Sequence, residues 1–266
     1  MIRLICADVD GTLIGASGVP HPDVWEAAAR ARAAGIRVAL ASGRPAFGHT
    51  LGYARQLDPT GWHIFQNGAS VLHPEDGRSR SSRFPADAER YLVRRSRETG
   101  RIIELYSDTA YVVEDTRDIV RVHAGVLGVP FAPGNLEHPP RPVVRAQWML
   151  DPADGPAVLA EDVPGVEYSP STSPMMPDTL FVSVMPSGVS KATGVATVAA
   201  AYGVAMDEVM FVGDGWNDAT AMRAVGWPVA MGNAEPEVHA LARHTVGHVD
   251  DVGVVEAFEW AMAHGR

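Results

Sequence analysis

The 266 residues carry 22 basic and 32 acidic side chains, a formal net charge of −10, with one cysteine, Cys6. This acidic balance argues against nucleic-acid binding, which depends on cationic contacts to phosphates, and a single cysteine excludes an internal disulfide. Because no apolar run reaches the roughly 20 residues of a membrane helix and Asp8 interrupts the apolar start that a signal peptide needs, we expect a soluble, cytoplasmic protein without membrane contacts.

The first part of the chain alternates short apolar runs with helical patterns. Strands are predicted at 2–7, 36–41 and 63–66, and helices at 22–34 and 45–57. The same alternation returns near the end of the chain, with strands at 208–212 and 228–231 and helices at 190–202, 217–225, 236–243 and 251–263. Alternating strands and helices of this kind predict an α/β fold with a doubly wound parallel sheet.

The middle of the chain has a different pattern. Helices are predicted at 86–99, 117–127 and 152–161, and strands at 102–106, 111–114, 143–150, 166–169 and 179–184, with a loop at 169–178. The strands at 102–106 and 111–114 are predicted to form a hairpin, which a purely alternating sheet lacks. We therefore predict an inserted α/β domain at 84–185, between two segments of one core domain at 1–83 and 186–266.

Polar residues follow the predicted parallel strands, where such sheets bind ligands. The first strand leads into Asp8-Val9-Asp10-Gly11-Thr12, the second into Ser42-Gly43-Arg44, and the strand at 208–212 into a segment that holds Asp214 and Asp218. If the sheet forms, these segments meet at one edge. Lys191, at the start of a predicted helix, is the only lysine among the 22 basic residues.

This set of residue types suits phosphoryl transfer. Several carboxylates without a neighbouring histidine or cysteine suit Mg²⁺, which prefers oxygen ligands and offsets their mutual repulsion. The Ser42 hydroxyl and the Gly43 N–H, at a predicted helix start, form an anion site, to which Lys191 adds a positive charge. One carboxylate can attack phosphorus, and another can transfer protons to and from the oxygens that leave and enter.

The four segments also resemble a known family. Residues 8–13 resemble the first motif of phosphatases of the haloacid dehalogenase superfamily, Ser42-Gly43-Arg44 the second in its Cof-type form, and Lys191 the third. Residues 213–218, continued by 229–234, resemble the fourth motif with its Cof-type extension. The insert at 84–185 is similar to the large α/β cap domain of that branch. The resemblance implies a Rossmann-like core with an inserted cap.

Roles follow from the resemblance residue by residue. It implies that Asp8 is the nucleophile and Asp10 the general acid and base. Mg²⁺ would be bound by the Asp8 carboxylate, the Asp10 backbone carbonyl and Asp214, and Asp218 would support the metal-bound waters or Lys191. The resemblance thus implies an enzyme, a Mg²⁺-dependent phosphatase that forms an aspartyl-phosphate.

The resemblance also implies the partners of the reaction. Phosphoryl oxygens would be bound by Ser42, Gly43, Lys191 and Asn217. The substrate would be a small phosphorylated metabolite, a sugar phosphate or a phosphorylated cofactor. The alternative is a phosphomutase or phosphotransferase, in which the same aspartyl-phosphate passes to a hydroxyl group instead of water. The oligomeric state is left open.

The residues by themselves leave structural alternatives open. Asn217 either contacts phosphate or caps the helix that follows, and Arg44 either contacts substrate or braces its loop. Asn67-Gly68 forms either a turn or a wall of the site. The arginines between 78 and 101 form either a solvated helix face, which we favour, or a clamp for an anionic substrate. We expect Trp216 to serve packing.

Overall fold

The computed structural model describes residues 1–131, 133–173 and 175–264. Within these residues the strands are β1 (Leu4–Ala7), β2 (Arg37–Leu40), β3 (His63–Phe65), β4 (Ser70–Leu72), β5 (Ile102–Tyr106), β6 (Tyr111–Val113), β7 (Arg145–Leu150), β8 (Val166–Ser173), β9 (Met176–Pro186), β10 (Val209–Gly213), β11 (Trp227–Ala230) and β12 (His244–Thr245). The α-helices described are α1 (Pro22–Ala33), α2 (His49–Leu57), α3 (Ala86–Thr99), α4 (Asp118–Leu127), α5 (Gly155–Leu159), α6 (Lys191–Tyr202), α7 (Ala219–Ala224), α8 (Pro236–His239) and α9 (Val254–His264).

A five-stranded parallel sheet confirms the predicted α/β fold. Its strand order is β12-β11-β10-β1-β2, and every neighbouring pair is parallel. From β1 the chain proceeds to β2 on one side and later returns to β10 on the other. The strand order therefore reverses at β1, and the carboxyl ends of β1 and β10 flank the crevice where doubly wound sheets bind ligands.

Helices cover the sheet through apolar side chains. Alternate strand residues such as Leu4, Cys6 and Phe211 join one buried cluster with Val195 of α6 and Met222 of α7. The helices α1 and α9 pack together and contact β2 and β10. Each burial of a large apolar side chain contributes roughly 1.5–3 kcal/mol, so this core holds the strand ends in fixed positions.

The sequence also accounts for where α1 begins and ends. His21 precedes the helix and accepts a hydrogen bond from the Asp23 N–H, Pro22 occupies the first turn, and Gly35 follows the end of the helix with φ +87°. Buried Val24 and Ala28 lie one turn apart on the face that meets the sheet. Proline at the start and glycine beyond the end are typical helix signals.

The described residues divide into two compact units. One consists of Met1–Arg44, Thr50–Arg80 and the chain from Ser190 on, and contains the parallel sheet. The other consists of Pro45–His49 and Ser81–Val189. The predicted domain segments 1–83, 84–185 and 186–266 remain an assignment made from the sequence.

The second unit is built on an antiparallel sheet with the order β6-β5-β7-β9-β8. On one side Leu92 of α3 joins a buried cluster with Trp148, and on the other Val120 of α4 packs with Met149 and Phe181. The sheet is thus covered by a helix on each face, which gives this unit its own core.

The arginines of α3 are paired with carboxylates. Arg95 donates to Glu161 at 2.8 Å, Arg97 donates to Glu114 at 2.8 Å, and Arg90 pairs with an aspartate one turn earlier. Because these guanidinium groups already have acidic partners at the surface, the structure favours the solvated helix face over an anion clamp.

Several predicted elements have different bounds in the structure. The helix predicted at 45–57 begins only at His49, because Gly48 has φ +62° and Phe47 stacks on Tyr106 of the second unit. Gly43 is therefore not at a helix start, and that prediction was wrong. The loop predicted at 169–178 is largely the end of the β8–β9 hairpin, with Pro174 outside the described residues.

The third predicted strand pairs differently from a continuous parallel sheet. β3 pairs antiparallel with β4, a strand that was not predicted from the sequence, and a bridge between Ala41 and Ile64 connects β3 to the parallel sheet. Among the described residues, no helix combines the length and the apolar character needed to cross a bilayer.

Candidate functional site

The centre of the site is a buried ammonium group between two carboxylates. Asp8 directly follows β1, and Lys191 is the first residue of α6, whose N-cap is Ser190. The Lys191 Nζ donates to Asp8 Oδ1 at 2.5 Å and to Asp218 Oδ1 at 2.6 Å. The Lys191 side chain is fully buried, so the two carboxylates supply the charge balance that an isolated buried ammonium would lack.

Asp218 also shapes the loop that follows β10. Its Oδ2 accepts hydrogen bonds from the backbone N–H groups of Asp214 at 3.0 Å and Gly215 at 3.1 Å. Both oxygens of this buried carboxylate are therefore used, one for Lys191 and the other for the loop. Of the two supporting roles predicted for Asp218, the geometry favours the support of Lys191.

The carboxylates form a strongly negative cluster. Carboxylate oxygens of Asp8, Asp214 and Asp218 lie within 4.8 Å of one another. Burial and the charge of Asp218 raise the pKa of Asp8 well above its ordinary value, and the same two causes raise the pKa of Asp214 to about 7. Burial disfavours the Lys191 ammonium, but Asp218 and Asp8 outweigh this effect and raise its pKa. One ammonium does not neutralise three carboxylates, so this oxygen donor set fits a divalent cation.

The first motif approaches Asp214 closely. The Thr12 hydroxyl donates to Asp214 Oδ1 at 3.1 Å, and the Asn233 amide donates to Asp214 Oδ2 at 3.4 Å. Gly11 has φ +81°, and a Cβ there would lie 2.0 Å from Asp214 Oδ2, so glycine is required at this position. Thr12 and Asn233 lie within the motifs, but the sequence predicted no role for either.

Asp10 is placed differently from Asp8. Its side chain is 57% exposed, whereas that of Asp8 is 6% exposed. Arg44 donates to Asp10 through Nε at 2.9 Å and through Nη2 at 2.5 Å. A guanidinium that forms two parallel hydrogen bonds fixes the plane of a carboxylate, so Arg44 orients Asp10. This contact between two motifs was not predicted from the sequence.

The segment after β2 lies against two asparagines. The Ser42 Oγ accepts the Arg44 N–H at 3.0 Å, and the Asn67 N–H donates to the Ser42 carbonyl at 2.9 Å. Asn217 Nδ2 donates to Asn67 Oδ1 at 3.3 Å, and a Cβ on Gly43 would lie 3.1 Å from that same oxygen. The structure thus brings Ser42, Gly43 and Asn217 together around Asn67.

These contacts bear on two open alternatives, while the contact of Asn217 with phosphate stays a prediction. Asn217 bonds Asn67 instead of capping α7, whose N-cap residue Asp218 makes no capping bond with its side chain. Asn67, with φ +53°, is both part of a turn and a neighbour of the predicted phosphate site.

Trp216 is 59% exposed, so the expectation that it serves packing was wrong. Its ring lies 5.6 Å from the guanidinium of Arg223.

Comparison with known proteins yields full-length similarities. Residues 5–258 match the family described as haloacid dehalogenase-like hydrolases. The chain is 26% identical to a protein of Streptococcus pyogenes serotype M6 that is provisionally named a phosphatase, over 98% of this chain and 99% of that protein. It is also 26% identical to the 5-amino-6-(5-phospho-D-ribitylamino)uracil phosphatase YitU of Bacillus subtilis, with 94% of each covered.

A solved structure supports the same relationship. A crystal structure of a haloacid dehalogenase-like hydrolase from Bacteroides thetaiotaomicron matches with a TM-score of 0.86 at 27% identity, over 98% of this chain and 99% of that one. Phosphatases of this family generally use a divalent metal ion, and the acidic cluster described above is of a kind that holds one. The fold, the order of the four motifs and the family match together show that this chain belongs to the haloacid dehalogenase-like hydrolases, in the Cof-type branch that the motifs indicated.

Proposed function

We propose that this chain is a Mg²⁺-dependent phosphatase that hydrolyses small phosphomonoesters, of the sugar phosphate or phosphorylated cofactor type, through an aspartyl-phosphate on Asp8. The observation that carries the proposal is the buried Lys191 ammonium, 2.5 Å from Asp8 and 2.6 Å from Asp218, beside the acidic cluster. A nucleophilic carboxylate, a fixed cation and a metal-binding carboxylate cluster are the groups that phosphoryl transfer requires. The name of the relative YitU, which describes it as the phosphatase of a phosphorylated small molecule, supports this substrate class.

The metal would be held by the Asp8 carboxylate, Asp214 and the backbone carbonyl of Asp10. Their oxygens suit Mg²⁺, which is a hard cation and retains several waters. Bound there, Mg²⁺ would neutralise negative charge on the phosphoryl group as it transfers.

The first half of the reaction transfers the phosphoryl group to the protein. An Asp8 carboxylate oxygen attacks phosphorus, the bond between phosphorus and the ester oxygen breaks, and Asp10 gives its proton to the leaving oxygen. Lys191, Ser42 and the Gly43 N–H would hold the phosphoryl oxygens during this transfer, because each offers a donor at the site. Asn217, next to Asn67, would complete this set.

The second half releases phosphate. Asp10, now ionised, takes a proton from a water molecule, the water oxygen attacks phosphorus, and the bond from phosphorus to the Asp8 oxygen breaks. Asp8 and the protonated Asp10 are thereby restored. Arg44 fixes the orientation of Asp10, so that the same carboxylate serves both proton transfers.

The assignment of 84–185 as a cap inserted between core segments 1–83 and 186–266 belongs to the same proposal.

A screen of phosphate esters in the presence of Mg²⁺, scored by released phosphate, tests this function. The Asp8→Asn variant keeps the shape of the side chain but removes the nucleophile, and should lose essentially all turnover on any ester the wild type hydrolyses. Asp207→Asn, at an exposed position away from the site, is the matched control and should retain wild-type activity. Substantial phosphate release by Asp8→Asn would refute the nucleophilic role.

Two further measurements address the intermediate and the alternative. Acid quenching of a single turnover should trap phosphoprotein in the wild type and none in Asp8→Asn. Phosphorus NMR of the products should show inorganic phosphate. If the products contain an isomerised or transferred ester instead, the result supports a phosphomutase or phosphotransferase and refutes the phosphatase.

A further inference from the structure

Asn233 connects three segments at the edge of the site. Its Nδ2 donates to the Gly11 carbonyl at 2.8 Å and to Asp214 Oδ2 at 3.4 Å, and its Oδ1 accepts the Val249 N–H at 2.9 Å. A backbone N–H donates only to the amide oxygen, so the bond from Val249 fixes the orientation of the amide. The two N–H donors of Asn233 are therefore directed at Gly11 and Asp214.

The Asp214 carboxylate is held at both oxygens by these neighbours. Thr12 donates to Oδ1 at 3.1 Å, and Asn233 donates to Oδ2. Because each carboxylate oxygen accepts about two hydrogen bonds, one position on each oxygen remains after these contacts. The remaining positions are available for a cation shared with Asp8, whose carboxylate belongs to the same cluster.

The loop that contains Val249 is closed by contacts of its own. Glu256 Oε2 accepts the Gly247 N–H at 3.0 Å, and Asp250 Oδ1 accepts the Ala16 N–H at 2.8 Å. This loop spans residues 247–253 and is held at these two separate points, so we expect it to stay in place when the bond to Glu256 alone is lost. Residues 247–253 are distant in sequence from the first motif, but they are linked to it through Asn233, which bonds both Val249 and Gly11.

We propose that Asn233 is a positioning residue that presents the Asp214 carboxylate to the metal ion and fixes its distance from the first motif through Gly11. This inference rests on the proposed function, because it presupposes that Asp214 binds the metal. Partners that hydrogen-bond a ligating carboxylate typically change metal affinity by about 10–100-fold when removed. We expect a loss of that size for Asn233→Ala, with Thr12→Val acting in the same direction.

The test is calorimetric titration of Mg²⁺ into the full chain without substrate. Asn233→Ala removes all three hydrogen bonds, and Asn233→Leu keeps the side-chain volume if the alanine variant fails to fold. Glu256→Ala is the matched control, because Glu256 anchors the same loop through Gly247 but does not contact Asp214. We expect weaker Mg²⁺ binding in the Asn233 variants and wild-type binding in Glu256→Ala. In kinetics, the Mg²⁺ concentration for half-maximal rate should rise while kcat at saturating Mg²⁺ changes little.

The outcomes separate the two proposals. If the wild type binds no Mg²⁺, the metal part of the proposed function fails, and the role of Asn233 fails with it. If the wild type binds Mg²⁺ and the Asn233 variants bind it equally well, only the role of Asn233 is refuted. An equal loss in Glu256→Ala would also refute it, since the effect would then come from the loop as a whole.

Discussion

His63 contacts the strand that leads into Ser42, and we expect it to make this part of the fold sensitive to acid. Its imidazole is fully buried; Nδ1 accepts the Leu40 N–H at 3.0 Å, and Nε2–H donates to the Asp58 carbonyl at 2.7 Å. The ring is therefore neutral, with both nitrogens used. Protonation would place a second N–H against that of Leu40. Leu40 lies two residues before Ser42. The Ser42 N–H in turn donates to the carbonyl of Ile64, the residue after His63, at 2.9 Å.

The stability effect follows from the pKa of this group. Burial lowers the pKa of His63 from an ordinary value of 6.5 to about 4, although the Asp58 carbonyl partly opposes it. Between these pH values the unfolded chain binds a proton that the folded chain does not, so the free energy of unfolding falls as pH decreases. The contribution is complete above pH 6.5 and lost as pH falls toward 4. At about 1.36 kcal/mol per pKa unit, it amounts to roughly 3 kcal/mol.

Urea unfolding of the wild type and of His63→Gln at pH 7.5 and pH 4.5 measures this contribution. Glutamine offers an N–H donor near the position of Nε2 but does not titrate. At pH 7.5 the variant should be less stable, because the Leu40 N–H loses its acceptor at a cost of about 1–3 kcal/mol. The stability difference should shrink, or reverse, by most of the roughly 3 kcal/mol at pH 4.5.

The exposed His138 provides the control for this experiment. His138→Gln should follow the wild type at both pH values, because this residue is at the surface. An equal stability difference between wild type and His63→Gln at pH 7.5 and pH 4.5 would refute the reasoning. A directly measured pKa of His63 near 6.5, by NMR titration of the ring, would refute it as well.

Three further predictions concern the site. Arg44→Gln should slow the hydrolysis of alkyl phosphates by about tenfold or more, but that of p-nitrophenyl phosphate by much less. The reason is that only the alkyl leaving group needs the proton of a well-oriented Asp10. Equal effects on the two rates would contradict this. Gly11→Ala and Gly18→Ala, at φ +81° and +73°, should each lose about 1–2 kcal/mol in thermal unfolding. Only Gly11→Ala should also weaken Mg²⁺ binding, because its Cβ would lie 2.0 Å from Asp214 whereas nothing lies within 4 Å of a Cβ on Gly18. Removal of divalent ions with EDTA should abolish phosphate release, and Mg²⁺ should restore it; an unchanged rate in EDTA would count against the metal.

The sequence predicted those features of the site that depend on strand ends. Asp8 and Asp214 directly follow neighbouring parallel strands, and parallel strands bring their carboxyl ends to one edge. Their proximity therefore follows once the alternation of strands and helices is recognised. The apolar runs that form those strands are short and fully buried, so periodicity alone does not distinguish them from buried helix segments. Glycine and proline, which mark the intervening helices, removed this ambiguity.

Side-chain contacts between segments that are distant in the sequence could not be predicted in this way. Arg44 meets Asp10, and Asn233 meets Gly11, through single hydrogen bonds or pairs of them that leave no periodic trace in the sequence. The start of α2 was also mispredicted, because Phe47 packs in the second unit, and this tertiary contact overrides a local pattern that favours a helix from Pro45.

The contacts of Lys191 give a structural reason for the single lysine in the sequence. An arginine can bind a carboxylate through its planar fork, as Arg141 binds Glu89 at 2.7 Å for both bonds. Lys191 instead meets two carboxylates with one nitrogen, and a guanidinium would spread its charge over a larger, planar group in that buried space. An ammonium has three N–H donors; two serve Asp8 and Asp218, and the third is the one we assign to the phosphoryl oxygen. A chain that otherwise uses arginine retains lysine where one compact charge meets Asp8 and Asp218 together, and where the proposed function adds a phosphoryl oxygen.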